Sequence, residues 1–339
     1  MERFFVLLVT GLALGCDADL TFFERVPSLR GTGVIANPCP DENLEAPIYT
    51  HRLTQLSMSS IVGDSDRLYI QAAWTTAASP GDTSIVEIPR CGAPATVHNV
   101  QDQLNLGGFP THTLIDDRVY FARRFGGGLY SIAAGTGRAQ PRERLFEIGE
   151  RPCALVGLRD RREIVWAECL TGTVRAWPLG GEPRVVASGF DLDDRPMHWD
   201  GRELTFSDDT RVVRLDVSTG RARVLTTLAQ RPREMLGLDE WVYIVPQDDP
   251  TLLRVSVVAE GGSVEVIGDL TGPGEGMVAF DGELFIASAS GLYRFDPESL
   301  DLRRFSDRPG RRIWADSSAV YVDSADAMEL YTLWRVPRP

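Results

Sequence analysis

Asp281-Gly282-Glu283-Leu284-Phe285-Ile286, followed by Gly291-Leu292-Tyr293-Arg294-Phe295, has the pattern of a tight turn and two short apolar strands. Asp-Gly between apolar runs tolerates positive φ at both positions, which makes it a strong short-range hairpin signal. The runs on either side are too short for a helix and carry the aromatic and branched residues that suit a pleated, packed surface. The same apolar strand recurs as Arg67–Ile70, Arg118–Phe121, Glu163–Trp166, Glu203–Phe206, Trp241–Ile244 and Ala319–Val322, making seven copies with Glu283–Ile286. Asp200-Gly201 repeats the turn. No stretch after residue 20 keeps an apolar 3.6-residue stripe for three turns, and Gly and Pro punctuate the chain too often for helices.

A second marker sets the period. Pro110, Pro152, Pro196, Pro232, Pro273 and Pro309 are separated by 42, 44, 36, 41 and 36 residues. A period near forty with strand content throughout predicts an all-β, seven-bladed β-propeller of four-stranded blades. Each unit reads as a short strand after the proline, the aromatic strand, and a third strand such as Thr173–Leu179 or Gly291–Asp296. A more polar fourth strand follows, such as Arg184–Ser188 or Arg223–Leu228. The proline belongs at the handover between blades, where a fixed φ and a missing donor are tolerated. The seventh unit runs out of chain after its third strand, Leu330–Pro337, and Ile48–Leu53 is the unassigned strand that would complete it. Closure of that kind leaves no blade edge incomplete. Six blades is the rival count, because the first unit lacks the proline.

The chain divides into a leader over residues 1–15, a tether over 16–45 and the propeller over 46–339. Arg3 precedes an apolar run from Phe4 to Leu14 that is too short to span a bilayer. Leu12-Ala13-Leu14-Gly15-Cys16 resembles a bacterial lipobox, which implies cleavage before Cys16 and its acylation. An ordinary secretory signal with a coincidental cysteine is the alternative. Export to the envelope or periplasm, or secretion, gives meaning to the four other cysteines, since an even number in an oxidising compartment suggests bridges. Cys153 and Cys169 lie equally far from Arg161 at the centre of a hairpin and should face each other across it. Cys39 and Cys91 then remain as the second pair, pinning the tether to the first blade. Neither pair has the spacing of zinc ligands.

Charge restricts the partners. A formal net charge of -13 argues against nucleic acid and against electrostatic docking to anionic lipid. All 35 basic residues are arginine, so no Schiff-base or general-base lysine exists. His51, His98, His112 and His198 are scattered over different units without metal-ligand spacing. Gly126-Gly127-Gly128 leads into a strand, so it offers no phosphate-cradling helix end. No nucleophile-elbow motif occurs.

Two features of the rim loops are candidate sites. Asp191, Asp193, Asp194, Asp208, Asp209, Asp248 and Asp249 cluster there and could hold calcium given further oxygen ligands, or simply be solvated carboxylates. Arg151, Arg195, Arg231 and Arg308 each precede a repeat proline. They would form a partial positive ring at the channel mouth able to capture a carboxylate or phosphate, unless neighbouring acids pair with them.

The aromatic strand followed by Gly291-Leu292-Tyr293-Arg294-Phe295 resembles the repeats of bacterial exported propellers of the YWTD-like and NHL-like kind, over residues 48–339. The YWTD tetrad itself is absent. The resemblance implies an interaction platform in the cell envelope, with enzymes among the relatives. Calcium-dependent lactonase propellers need channel asparagines from several blades, whereas the asparagines here are Asn37, Asn43, Asn99 and Asn105, all before the third blade. The sequence thus predicts a propeller that binds an envelope protein or a small anionic ligand through its rim, with no cofactor required. The alternative is a hydrolase or lyase acting on an anionic substrate at the channel mouth.

Overall fold

The computed structural model describes residues 44–52, 58–75, 80–90, 94–99, 112–122, 128–148, 152–192, 197–258, 260–325 and 330–339. They form seven antiparallel four-stranded sheets, each built from strands in chain order except the last. In that blade Ala46–Arg52 adds to the outer side of Leu330–Pro337, with Tyr49 opposite Leu333 and Thr50 opposite Thr332. The seven-bladed, end-joined ring predicted from the repeat is the observed one.

The central aromatic strands are apolar without alternation because both of their faces are covered. In blade one, Leu68 and Ile70 pack toward blade seven, while Tyr69 between them packs toward blade two. In blade six, Leu284 and Ile286 face blade five and Phe285 faces blade seven. The core is therefore seven separate hydrophobic clusters, one at each interface between consecutive blades. Outer strands such as Glu143–Glu147 and Arg184–Ser188 cover nothing on their far side and stay largely exposed.

The prolines sit where an irregular ladder can take them. Pro152 and Pro232 open their inner strands, and a bulge follows each at once, between Pro152 and Ala154 and between Pro232 and Glu234. A third bulge lies between Gly274 and Gly276, one residue beyond Pro273. Cys153 and Cys169 are disulfide-bonded, with Cα atoms 5.7 Å apart. Their setting differs from a simple ladder pair. Cys153 is the bulged residue and Cys169 lies just past the end of the neighbouring strand, which stops at Glu168. Cys16, Cys39 and Cys91 lie outside the described residues.

The two Asp-Gly turns also differ. Asp281 and Gly282 both adopt positive φ, closing a two-residue loop between Phe280 and Glu283. Asp200 does not. Its Oδ1 accepts the backbone N–H groups of Arg202 and Glu203, each at 2.9 Å, and only Gly201 takes positive φ.

Candidate functional site: the central channel

Each innermost strand pairs with one neighbour only, so its free edge of N–H and C=O groups faces the axis of the ring. These strands are Met58–Gly63, Thr113–Ile115, Pro152–Leu158, His198–Trp199, Pro232–Leu238, Gly274–Phe280 and Ile313–Ala315. They enclose a cavity of about 250 Å³ to which all seven blades contribute. That is below the roughly 300–1,000 Å³ of pockets that take drug-sized ligands.

The charged lining residues of the cavity come from one part of the ring. Blades one to three contribute Ile61, Val62, Leu155 and Val156 together with the polar Ser60, His112 and Thr113. Blades five to seven supply Glu234, Arg312 and Trp314, with Met235 and Met277 between them. The bulges explain the charged part. Arg233 and Glu275 are the bulged residues of adjacent blades and pair with each other. The next residue, Glu234, pairs with Arg312 of blade seven at 2.9 Å, reaching past blade six. Gly276 makes that reach possible, since a Cβ there would stand 2.5 Å from the Arg311 carbonyl oxygen. Arg311 and Arg312 donate their backbone N–H groups to Asp323 Oδ1, which fixes the start of the last inner strand. Burial pushes the Asp323 carboxyl above the usual carboxylate range, and those N–H donors partly oppose it.

Two histidines line the same cavity. His112 Nε2 donates to the Tyr69 carbonyl oxygen at 2.8 Å. That leaves Nδ1 as the acceptor for the Ser60 hydroxyl at 3.1 Å. His198 Nε2 donates to the Gly237 carbonyl oxygen at 3.2 Å. Burial lowers each imidazole from its usual 6.5 to about 4, so both are neutral near pH 7.

Of the predicted rim arginines, Arg231 and Arg308 are described. Arg231 pairs with Asp209 at 2.5 Å. Arg308 pairs with Glu45 and lies over the Trp334 ring at 3.3 Å. Asp208 accepts the Asp191 N–H at 2.7 Å and pairs with Arg211 at 2.5 Å. Arg151, Arg195, Asp193 and Asp194 lie outside the described residues. Among the described residues, no three His, Cys, Asp or Glu side chains converge as a metal site. No described helix is long and apolar enough to cross a membrane.

Sequence reading missed the channel residues, although the repeat carried a signal for them. His112, His198 and Glu234 each stand two residues after a repeat proline, and Gly276 and Arg312 stand three after. The phase of the repeat, not local spacing, brings them together.

No family profile and no curated protein sequence matches the chain. Solved structures similar in fold include Staphylococcus aureus virginiamycin B lyase, as a catalytically inactive histidine-to-alanine variant with quinupristin. It matches with a TM-score of 0.63 and 14% identity, over 86% of this chain and 99% of its own. The extracellular domain of BT4673 from B. thetaiotaomicron matches at 0.60 and 11%, over 86% and 40%. BamB from Moraxella catarrhalis matches at 0.53 and 11%, over 86% and 100%. At these identities the likeness establishes the propeller fold and nothing finer.

Proposed function

We propose that the protein is an exported binding propeller that takes a small ligand in its central channel. The observation that carries this reading is the cavity itself, a single space built by all seven blades with apolar residues and an ion pair in its lining. Apolar lining with a few convergent polar groups is the usual make-up of a ligand pocket. Export is supported by the apolar leader and by the Cys153–Cys169 bond, which belongs to an oxidising compartment. A partner protein on the rim is part of the same reading. The test is a metabolite screen by shift in melting temperature, with Val156→Trp and Val278→Trp as variants whose channel is filled. Ligands that stabilise the wild type and neither variant support channel binding. A screen in which the wild type and the filled variants respond alike overturns it.

The Ser60–His112 contact favours a second reading, hydrolysis at the channel wall. Ser60 Oγ would attack an ester carbonyl, its proton passing to His112 Nδ1 and from there to the leaving alcohol, with water completing the turnover. The depressed His112 makes a weak base, which is why this reading stands second. A fluorophosphonate probe distinguishes the two. Labelling of Ser60 that is lost in His112→Gln supports hydrolysis, and an unlabelled Ser60 removes it.

A further inference from the structure

We propose that His98 is a pH-sensitive latch between blades one and two. Uncharged, it holds the loop of residues 134–142 of blade two against blade one. A second proton on its ring releases that loop. The latch is separate from channel binding, since none of these residues lines the central cavity.

The loop joins the strands Gly128–Ala133 and Glu143–Glu147, and three side chains of blade one each accept a backbone N–H from it. The Gly135 N–H donates to the Tyr69 hydroxyl at 2.9 Å, and the Gly137 N–H to Glu87 Oε1 at 3.3 Å. The Gln140 N–H donates to His98 Nδ1 at 3.1 Å. A backbone amide can only donate, so Nδ1 is the acceptor and the ring proton sits on Nε2. Nε2 passes its hydrogen bond to Glu87 Oε2 at 3.0 Å. Both side chains are fully buried, and both ring nitrogens are engaged. The loop therefore holds His98 in its uncharged form, and His98 holds the loop.

A second proton has no place in this arrangement. On Nδ1 it would face the Gln140 N–H, donor against donor, with no acceptor while the loop stays docked. The added charge would also be in excess. Among the described residues, the carboxylate that pairs with His98 is Glu87, whose Oε1 already holds Arg67 at 2.9 Å. Asp64 lies near Arg67 and Tyr69, where its carboxylate takes the Asp66 and Arg67 N–H groups. The loop brings Arg138 and Arg142 and no acid, with the Arg142 guanidinium 5.1 Å from the Tyr130 ring centroid. The next acid along the chain, Glu143, pairs with Arg118. Moving the loop lets water accept the new proton while the Glu87 contact is kept. Because the docked state excludes that proton, acidification favours release. Residues 136–139 are exposed, so release opens no hydrophobic cluster. Tyr69 takes no part in the switch, since burial raises its hydroxyl above the usual tyrosine range and keeps it protonated.

Histidine changes charge between about pH 5 and 8, which sets the conditions of the test. Amide hydrogen exchange of the full chain is measured at about pH 7.5 and about pH 5 and corrected for the intrinsic exchange rate. Peptides covering residues 134–142 should exchange about fivefold faster at the lower pH, the scale of one lost backbone hydrogen bond. The buried strand Trp241–Pro246 should stay protected, which separates loop release from global unfolding. His98→Gln does not titrate, yet its amide can donate to Glu87 and its carbonyl can accept from Gln140. Its loop should be equally protected at both pH values. Should that variant fail to fold, an NMR titration of the wild-type His98 ring decides, because its midpoint should coincide with loop release. Equal protection of the wild-type loop at both pH values overturns the latch. So does release in His98→Gln that matches the wild type, or a His98 ring that takes its second proton with the loop still docked.

Discussion

At the scale of single residues, the channel histidines couple folding to pH. The folded His112 binds its proton near pH 4, against about 6.5 for the unfolded chain. Between those values the unfolded state holds the proton and the folded state does not. The stability this protects is complete above the unfolded value and is lost as pH falls toward 4. For buried His112 the shift corresponds to about 3 kcal/mol, and His198 runs in the same direction. Asp323 runs the other way, since its raised carboxyl keeps a proton in the folded state above pH 3.8. His112→Gln, whose amide can still donate to the Tyr69 carbonyl, isolates one contribution. Urea midpoints taken from pH 7 down to pH 4 should fall less steeply for the variant than for the wild type. Parallel slopes would mean that His112 is protonated in the folded state without penalty.

At the scale of elements, the seven hairpins between the first and second strands of each blade show what a sequence can and cannot display. Asp116, Asp239 and Asp281 take positive φ in two-residue turns. Asp64, Asp200 and Asp316 instead use a carboxylate oxygen to hold two backbone N–H groups of a longer turn. Both uses look alike as an aspartate before an apolar strand, so the turns were legible and their geometry was not. The aromatic strands were legible for a stronger reason, because burial on both faces forces continuous apolar runs. The inner strands were hardly visible, since Thr113–Ile115, His198–Trp199 and Ile313–Ala315 are two or three residues long. The Glu234–Arg312 pair joins residues 78 apart in sequence, and nothing local announces it. The disulfide was legible from hairpin symmetry, although the bulge at Cys153 changes how the ladder reaches it. Replacing both Cys153 and Cys169 with Ala should cost roughly 3 kcal/mol through loop-closure entropy, with the 16-residue separation setting the scale. Denaturant midpoints with and without reductant check this: reductant should destabilise the wild type by roughly 3 kcal/mol more than it does the double variant.

At the scale of the whole molecule, the ring is held shut by devices that all meet at blades seven and one. Ala46–Arg52 joins the two ends of the chain within one sheet. Arg90 of blade one pairs with Asp316 of blade seven, and its guanidinium lies 4.5 Å from the Trp314 ring centroid and 5.5 Å from that of Tyr321. Tyr49, from the joining strand, packs with Ile61, Leu68 and Ile70 of blade one and with Leu333 of blade seven. Because every interface has its own hydrophobic cluster, the chain connection is not needed to define the fold. Its role is to keep one interface from opening first. A circular permutant separates these effects. Ala46 is paired with Arg335, so a short linker from Pro339 can reach the strand that begins at Ala46. Opening the chain between Asp307 and Arg308 then makes blade seven contiguous and leaves the interface between blades six and seven closed by side chains alone. The permutant should fold to the same secondary structure and keep its channel. It should unfold at least about tenfold faster in denaturant, the kinetic equivalent of ~1.4 kcal/mol, because that interface can part without breaking a sheet. An unchanged unfolding rate would show that packing between blades closes the ring by itself and that the shared blade contributes nothing to its persistence.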